Sequence, residues 1–109
     1  MAAPTDLEQL KRDLSDDKVQ LFDVREENEW NDGHLAQASF VPLSEIEEGV
    51  VNEERLLASL DKSKKTFVHC RSGVRVLTAA PLLSKMGFAE VVALPEGYNA
   101  LIAAGFAKG

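Results

Sequence analysis

The chain has one cysteine in 109 residues, and it stands where one kind of pattern ends and another begins. Before it, Lys64 and Lys65 close a polar turn and Thr66-Phe67-Val68-His69 has the make-up of a short buried strand. After it, Val74 to Met86 is largely apolar at helical spacing. Cys70 therefore marks a strand-to-helix junction. In an open α/β sheet that edge is where ligands bind.

The chemistry of such a junction follows from its backbone. A loop curling into a helix N-terminus points several N–H groups at one spot and adds the positive end of the helix dipole. Arg71 and Arg75 add two fixed cations. Each of these favours a thiolate, so Cys70 is expected to ionise below the ordinary thiol value of about 8.5. A thiolate is a nucleophile, and donors around it hold an anion beside it. Gly73 suits a tight turn, and Ser72 is placed to cap the helix. The plainer alternative, Cys70 as one more small buried apolar residue, leaves both arginines without a purpose.

Composition narrows the rest. Length and an apolar fraction of 45% fit a single domain over residues 1–109. A net charge of −6 counts against a nucleic-acid or anionic-membrane partner. Two arginines beside the cysteine of an acidic chain call for an anionic ligand. One cysteine forms no internal disulfide and has no resolving partner, so any sulfur chemistry must finish on an external thiol. That suits a reducing compartment. No apolar run approaches the roughly 18 residues of a membrane span, and Met1 to Pro4 lacks the features of a signal peptide. A cytoplasmic location is expected. One cysteine and two histidines do not make a four-ligand zinc set, so neither metal nor cofactor is expected.

Along the chain, Thr5-Asp6-Leu7-Glu8 reads as a capping box, followed by a helix with Leu7, Leu10 and Leu14 on one face. Val19 to Val24 reads as a strand ending near Asp23, whose partner Arg25 makes a structural pairing the expected role. Glu26 to Asn31 reads as an acidic helical turn ending at Asp32-Gly33, with Trp30 packed beneath the loop and His34 bonded to nearby backbone. Ser39-Phe40-Val41 is a short strand stopped by Pro42, and Ser44 starts a capped turn. Asn52 to Leu60 has the pattern of an amphipathic helix. The helix after the cysteine is apolar nearly all round, which predicts burial on most sides, with a kink at Pro81 and a stop at Gly87. Val91 to Leu94 is the last strand, and Asn99 to Ala104 a terminal helix.

Two motifs carry a family resemblance. Cys70-Arg71-Ser72-Gly73-Val74-Arg75 resembles the active-site loop of single-domain rhodaneses, which are sulfurtransferases. Asp23-Val24-Arg25, the acidic stretch to Trp30, Gly33-His34-Leu35 and then Val41-Pro42-Leu43 resemble the family's upstream signature in order and spacing. The resemblance runs from about Leu21 to Gly105. It departs at Gln37-Ala38, at Glu96-Gly97 and at Leu101, which touches the rim of the pocket more than the loop.

The resemblance implies a rhodanese-like α/β fold: a small doubly wound parallel sheet of four to five strands with helices on both faces, the fifth near Ala2 to Pro4. It implies sulfur transfer from a small donor such as thiosulfate to cyanide or a cellular thiol through a Cys70 persulfide. Arg71, Ser72, Gly73, Val74 and Arg75 would bind the substrate, with Arg71 and Arg75 on the donor's sulfonate. A monomer or weak homodimer is expected. Two rivals stand beside this reading. A persulfide carrier or docking module would keep the cysteine without rapid turnover. A cysteine-dependent phosphatase or arsenate reductase on the same fold has five residues between cysteine and arginine, whereas four separate Cys70 from Arg75.

Overall fold

The computed structural model describes residues 6–49 and 61–109. Strands β1 (Val19–Asp23), β2 (Ala38–Phe40), β3 (Lys65–His69) and β4 (Glu90–Ala93) form one parallel sheet in the order β2-β1-β3-β4. The described helices are α1 (Leu7–Ser15), α2 (Glu27–Asp32), α3 (Leu43–Glu48), α4 (Val76–Lys85) and α5 (Tyr98–Ala103). The fifth strand near Ala2, the Thr5 cap and the helix expected over Asn52 to Leu60 lie outside the described residues.

Parallel strands need crossover connections, and helices in those crossovers cover both faces of the sheet. The two-residue period of the strands then sorts side chains between two cores. Phe22, Val24, Val68 and Cys70 pack with Ile46 of α3 and with Val76, Ala79 and Leu83 of α4. Val19, Leu21 and Phe67 pack on the opposite face with Leu10 of α1 and Leu101 of α5. This is the expected doubly wound sheet, with four strands among the described residues.

The strand order also locates the site. β1 leads outward to β2, and the chain then crosses back to β3 on the other side of β1. Winding reverses between β1 and β3, so a crevice opens at their carboxyl ends. Asp23 and His69 are register partners at those ends, and Cys70 follows directly.

Several local expectations change. Asp6 caps α1, its side chain accepting the Gln9 N–H at 3.1 Å. α3 starts after Pro42, and Ser44 does not cap it: its hydroxyl donates to Glu26 Oε1 at 2.6 Å. The post-cysteine helix is not buried on most sides. α4 buries the stripe Val76, Ala79 and Leu83, while its Leu77 is 68% exposed and Val74, in the loop before it, is 66% exposed. Pro81 lies inside it and is exposed. α4 stops where expected, with Gly87 at φ +102°.

Candidate active site

Cys70 leaves β3 with its side chain fully buried, and loop 71–75 folds back over it. The Gly73 N–H donates to Sγ at 3.2 Å. Burial is the largest single influence on the thiol and raises its pKa. The N–H groups of Val76, Ser72, Gly73 and Arg75 act the other way and together outweigh it, so Cys70 ionises below the usual thiol value. Backbone donors supply this lowering. Ultraviolet absorbance of the thiolate, followed against pH, should show a midpoint below the free-thiol value of about 8.5. A midpoint at or above that value would mean that the N–H cradle does not overcome burial.

Two glycines make room for the cradle. Gly73 has φ +80°, and a Cβ there would lie 2.7 Å from the Pro95 carbonyl oxygen. Gly97 has an ordinary φ of −87°, so its constraint is space: a Cβ would collide with the carbonyl of Arg71. The neighbouring Tyr98 N–H donates to the Cys70 carbonyl at 2.9 Å, which fastens α5 to the loop. Gly97→Ala should therefore displace the residue next to the thiol. We expect a stability loss of about 1–3 kcal/mol in urea unfolding, with slower Cys70 chemistry under conditions where the variant is fully folded. Unaltered Cys70 reactivity in that variant would show that the 95–98 turn does not set the loop.

The loop is also held from α2. Arg75 donates to both carboxylate oxygens of Glu29, at 2.6 and 2.8 Å. The Arg75 hydrogen bonds are the main reason that Glu29 falls to about 2 from an ordinary 4.5, and Glu29 in turn raises Arg75. The pair's contribution to stability is complete above the ordinary glutamate value and fades as pH falls toward 2. Glu29 also accepts the Glu26 N–H, completing a capping box at the start of α2.

The expected loop residues thus sit differently. Arg75 is engaged by Glu29, whereas Arg71 is exposed with no ion-pair partner among the described residues. Ser72 is exposed and does not cap α4; the N-cap is Arg75, without a side-chain bond, and Ser72 contributes its backbone N–H. Val74 faces solvent.

Beneath the loop, Arg25 and Asp23 form a buried pair. Arg25 Nε lies 3.0 Å from each Asp23 oxygen and Nη2 lies 2.7 Å from Oδ2. Nη2 also donates to the Gly33 carbonyl at 2.7 Å, and the guanidinium lies 4.2 Å from the Tyr98 ring centre. This is the structural pairing expected from the sequence. His69 is fully buried, and burial holds its pKa below the ordinary value despite Asp23 Oδ2 at 3.7 Å. His34 lies with Nδ1 3.1 Å from the Trp30 carbonyl and its ring stacked on Trp30, also a structural role. Among the described residues no group of three or more His, Cys, Asp or Glu is arranged to hold a metal ion. Nor is any described helix long and apolar enough to cross a membrane.

Beside the loop, Arg25, Glu29, Asp32, Gly33, Arg71 and Tyr98 border a pocket of about 200 Å³. Glu29 and Gly97 were the contributors hardest to anticipate. Glu29 sits 46 positions from its partner, inside a stretch that reads as an acidic surface turn.

Comparison with known proteins shows the family. The model of the rhodanese-like domain matches residues 6–104. YqhL of Bacillus subtilis is 37% identical over 82 residues, covering 75% of this chain and 60% of YqhL. A mitochondrial protein of Schizosaccharomyces pombe, proposed to be a thiosulfate sulfurtransferase, is 33% identical over 87 residues, 74% of this chain and 61% of that protein. The chain thus spans about three fifths of the length of these two relatives. The human single-domain sulfurtransferase TSTD1 superposes with a TM-score of 0.76 at 25% identity, over 94% of this chain and 97% of that structure.

Proposed function

This chain belongs to the rhodanese-like domain family, and on that premise we propose that it transfers sulfur through a Cys70 persulfide. The observation that carries the reading is the buried thiol whose pKa is lowered by four backbone N–H groups. In the first step the thiolate attacks the outer sulfur of thiosulfate. A bond forms between Sγ and that sulfur, the sulfur–sulfur bond of the donor breaks, and its electron pair leaves with sulfite. The outer sulfur stays on Cys70, where the N–H groups of Ser72, Gly73, Arg75 and Val76 stabilise its charge. Arg71, exposed and unpaired among the described residues, takes the donor's sulfonate. Arg75 braces the loop through Glu29 and adds positive potential behind it. Cyanide or a cellular thiol then removes the sulfur and restores the thiolate.

The test is the intact mass of the reduced protein after incubation with thiosulfate. A gain of one sulfur atom, reversed by cyanide, is expected. No gain with thiosulfate, mercaptopyruvate or a low-molecular-weight persulfide would overturn the reading.

A further inference from the structure

The solvent face of α4 differs from the faces that α1 and α3 present. α1 exposes Glu8 and Arg12, and α3 exposes Glu47 and Glu48. On α4 the exposed residues include Leu77, Thr78, Pro81 and Lys85, spaced for one face and opposite the buried stripe Val76, Ala79 and Leu83. The Leu77 N–H donates to the Val74 carbonyl at 3.1 Å, so the exposed Val74 continues that face one turn into the loop. Val74 and Leu77 are the two large hydrophobic residues exposed among the described residues, and they stand three positions apart. A single exposed leucine is ordinary, whereas two such residues and a proline on one ridge form a patch.

The patch begins at the cysteine loop. The N–H groups of Gly73 and Arg75, on either side of Val74, act on Cys70 Sγ, and α4 packs on the same sheet face as the Cys70 side chain. Its charge has one sign. Residues 71–86 carry Arg71, Arg75 and Lys85 and no acid, in a chain of net charge −6. Arg75 is engaged by Glu29, whereas Arg71 and Lys85, exposed at the two ends of this segment, have no ion-pair partner among the described residues. An apolar ridge at i, i+3 and i+7 seats between the side chains of a second helix, and unpaired cations at its ends select carboxylates there. Valine and proline also lose little rotamer freedom on contact. A second copy of this chain would bring a net charge of −6 against the same charge, which opposes self-association. We propose that this face docks an amphipathic helix of an acidic partner protein, with apolar side chains on Val74, Leu77 and Pro81 and carboxylates toward Arg71 and Lys85. Docking there brings the partner to the loop around Cys70.

The test is an amide NMR titration of the full chain with three amphipathic peptides of about 15 residues, long enough for a helix. One is built from glutamate and leucine, one from lysine and leucine, and one from glutamate and serine. The glutamate–leucine peptide should shift the amides of residues 71–86, and the other two should bind at least about fivefold more weakly. Leu77→Ser should weaken the glutamate–leucine peptide roughly tenfold, and Lys85→Glu roughly fivefold. Both residues are exposed and neither is among the donors to Sγ, and the amides outside the face report that each variant is folded. No shifts, shifts confined to other residues, or equal binding of the lysine–leucine peptide would overturn the proposal. So would shifts of these amides on dilution of the protein alone, which would assign the face to a second copy of the chain. Binding of phosphatidylglycerol vesicles that is lost in Leu77→Ser would assign it to a membrane and overturn the proposal too. Peptide binding needs no sulfur on Cys70. A failed titration therefore leaves the persulfide reading standing, and a failure to load sulfur leaves the docking face standing.

Discussion

Cys70→Ser should leave the protein folded and end sulfur loading altogether. Serine is nearly isosteric at this fully buried position, and its hydroxyl can accept the Gly73 N–H that now reaches Sγ. The N–H cradle therefore survives, and cooperative urea unfolding should persist. What disappears is the nucleophile. Even with four N–H groups lowering its pKa, an alkoxide does not form near pH 7 without a general base, and the neighbouring His69 ring faces Asp23 on the other side of the sheet. Under the proposed mechanism the variant should gain no mass from thiosulfate and turn over at the uncatalysed rate. Measurable transfer by a folded Cys70→Ser protein would remove Cys70 from the chemistry and move attention to the rest of the loop.

The largest stability loss should come from Arg25→Ala. Asp23 is fully buried, and its carboxylate is matched by three contacts from the Arg25 side chain together with the Arg25 N–H at 2.9 Å. Truncating Arg25 strands that charge and removes the bond to the Gly33 carbonyl and the contact with Tyr98. Breaking a buried pair in this way costs about 3–5 kcal/mol, a large share of the roughly 5–15 kcal/mol of a typical domain. Urea unfolding at pH 7 reads the loss. A loss under about 1 kcal/mol would show that Asp23 does not depend on Arg25 for its charge. Replacing both residues by apolar ones of similar volume should cost less than Arg25→Ala alone.

The two groups of residues in these experiments differ in how readily the sequence announces them. Cys70, its loop and its strand-to-helix setting depend on neighbours within a few positions, and so do the Asp23–Arg25 pair, His34 against Trp30, and the stop at Gly87. Such features follow from short-range sterics, capping and periodicity, which a linear pattern records. The alternation of Val19, Leu21 and Phe22 likewise specifies which side chains face which core once the sheet is parallel.

What the pattern does not record is which distant segments share a space. Nothing near Glu29 marks it as the partner of Arg75, because the ion pair exists only after α2 and the loop arrive at one end of the sheet. Gly97 keeps an ordinary φ, so no turn rule singles it out; the Arg71 carbonyl excludes a side chain there. Ser44 and Ser72 have the chemistry of caps, yet Glu26 claims one and solvent the other. The apolar run after Cys70 implied a buried helix, while packing on a single sheet face left Val74 and Leu77 outside. Sequence alone thus determined the four described strands, the α/β class and the place of Cys70 between a strand and a helix, since local periodicity decides them. Tertiary structure alone decided which arginine is braced and which is left facing the pocket, because that depends on charges that meet only when the strands do.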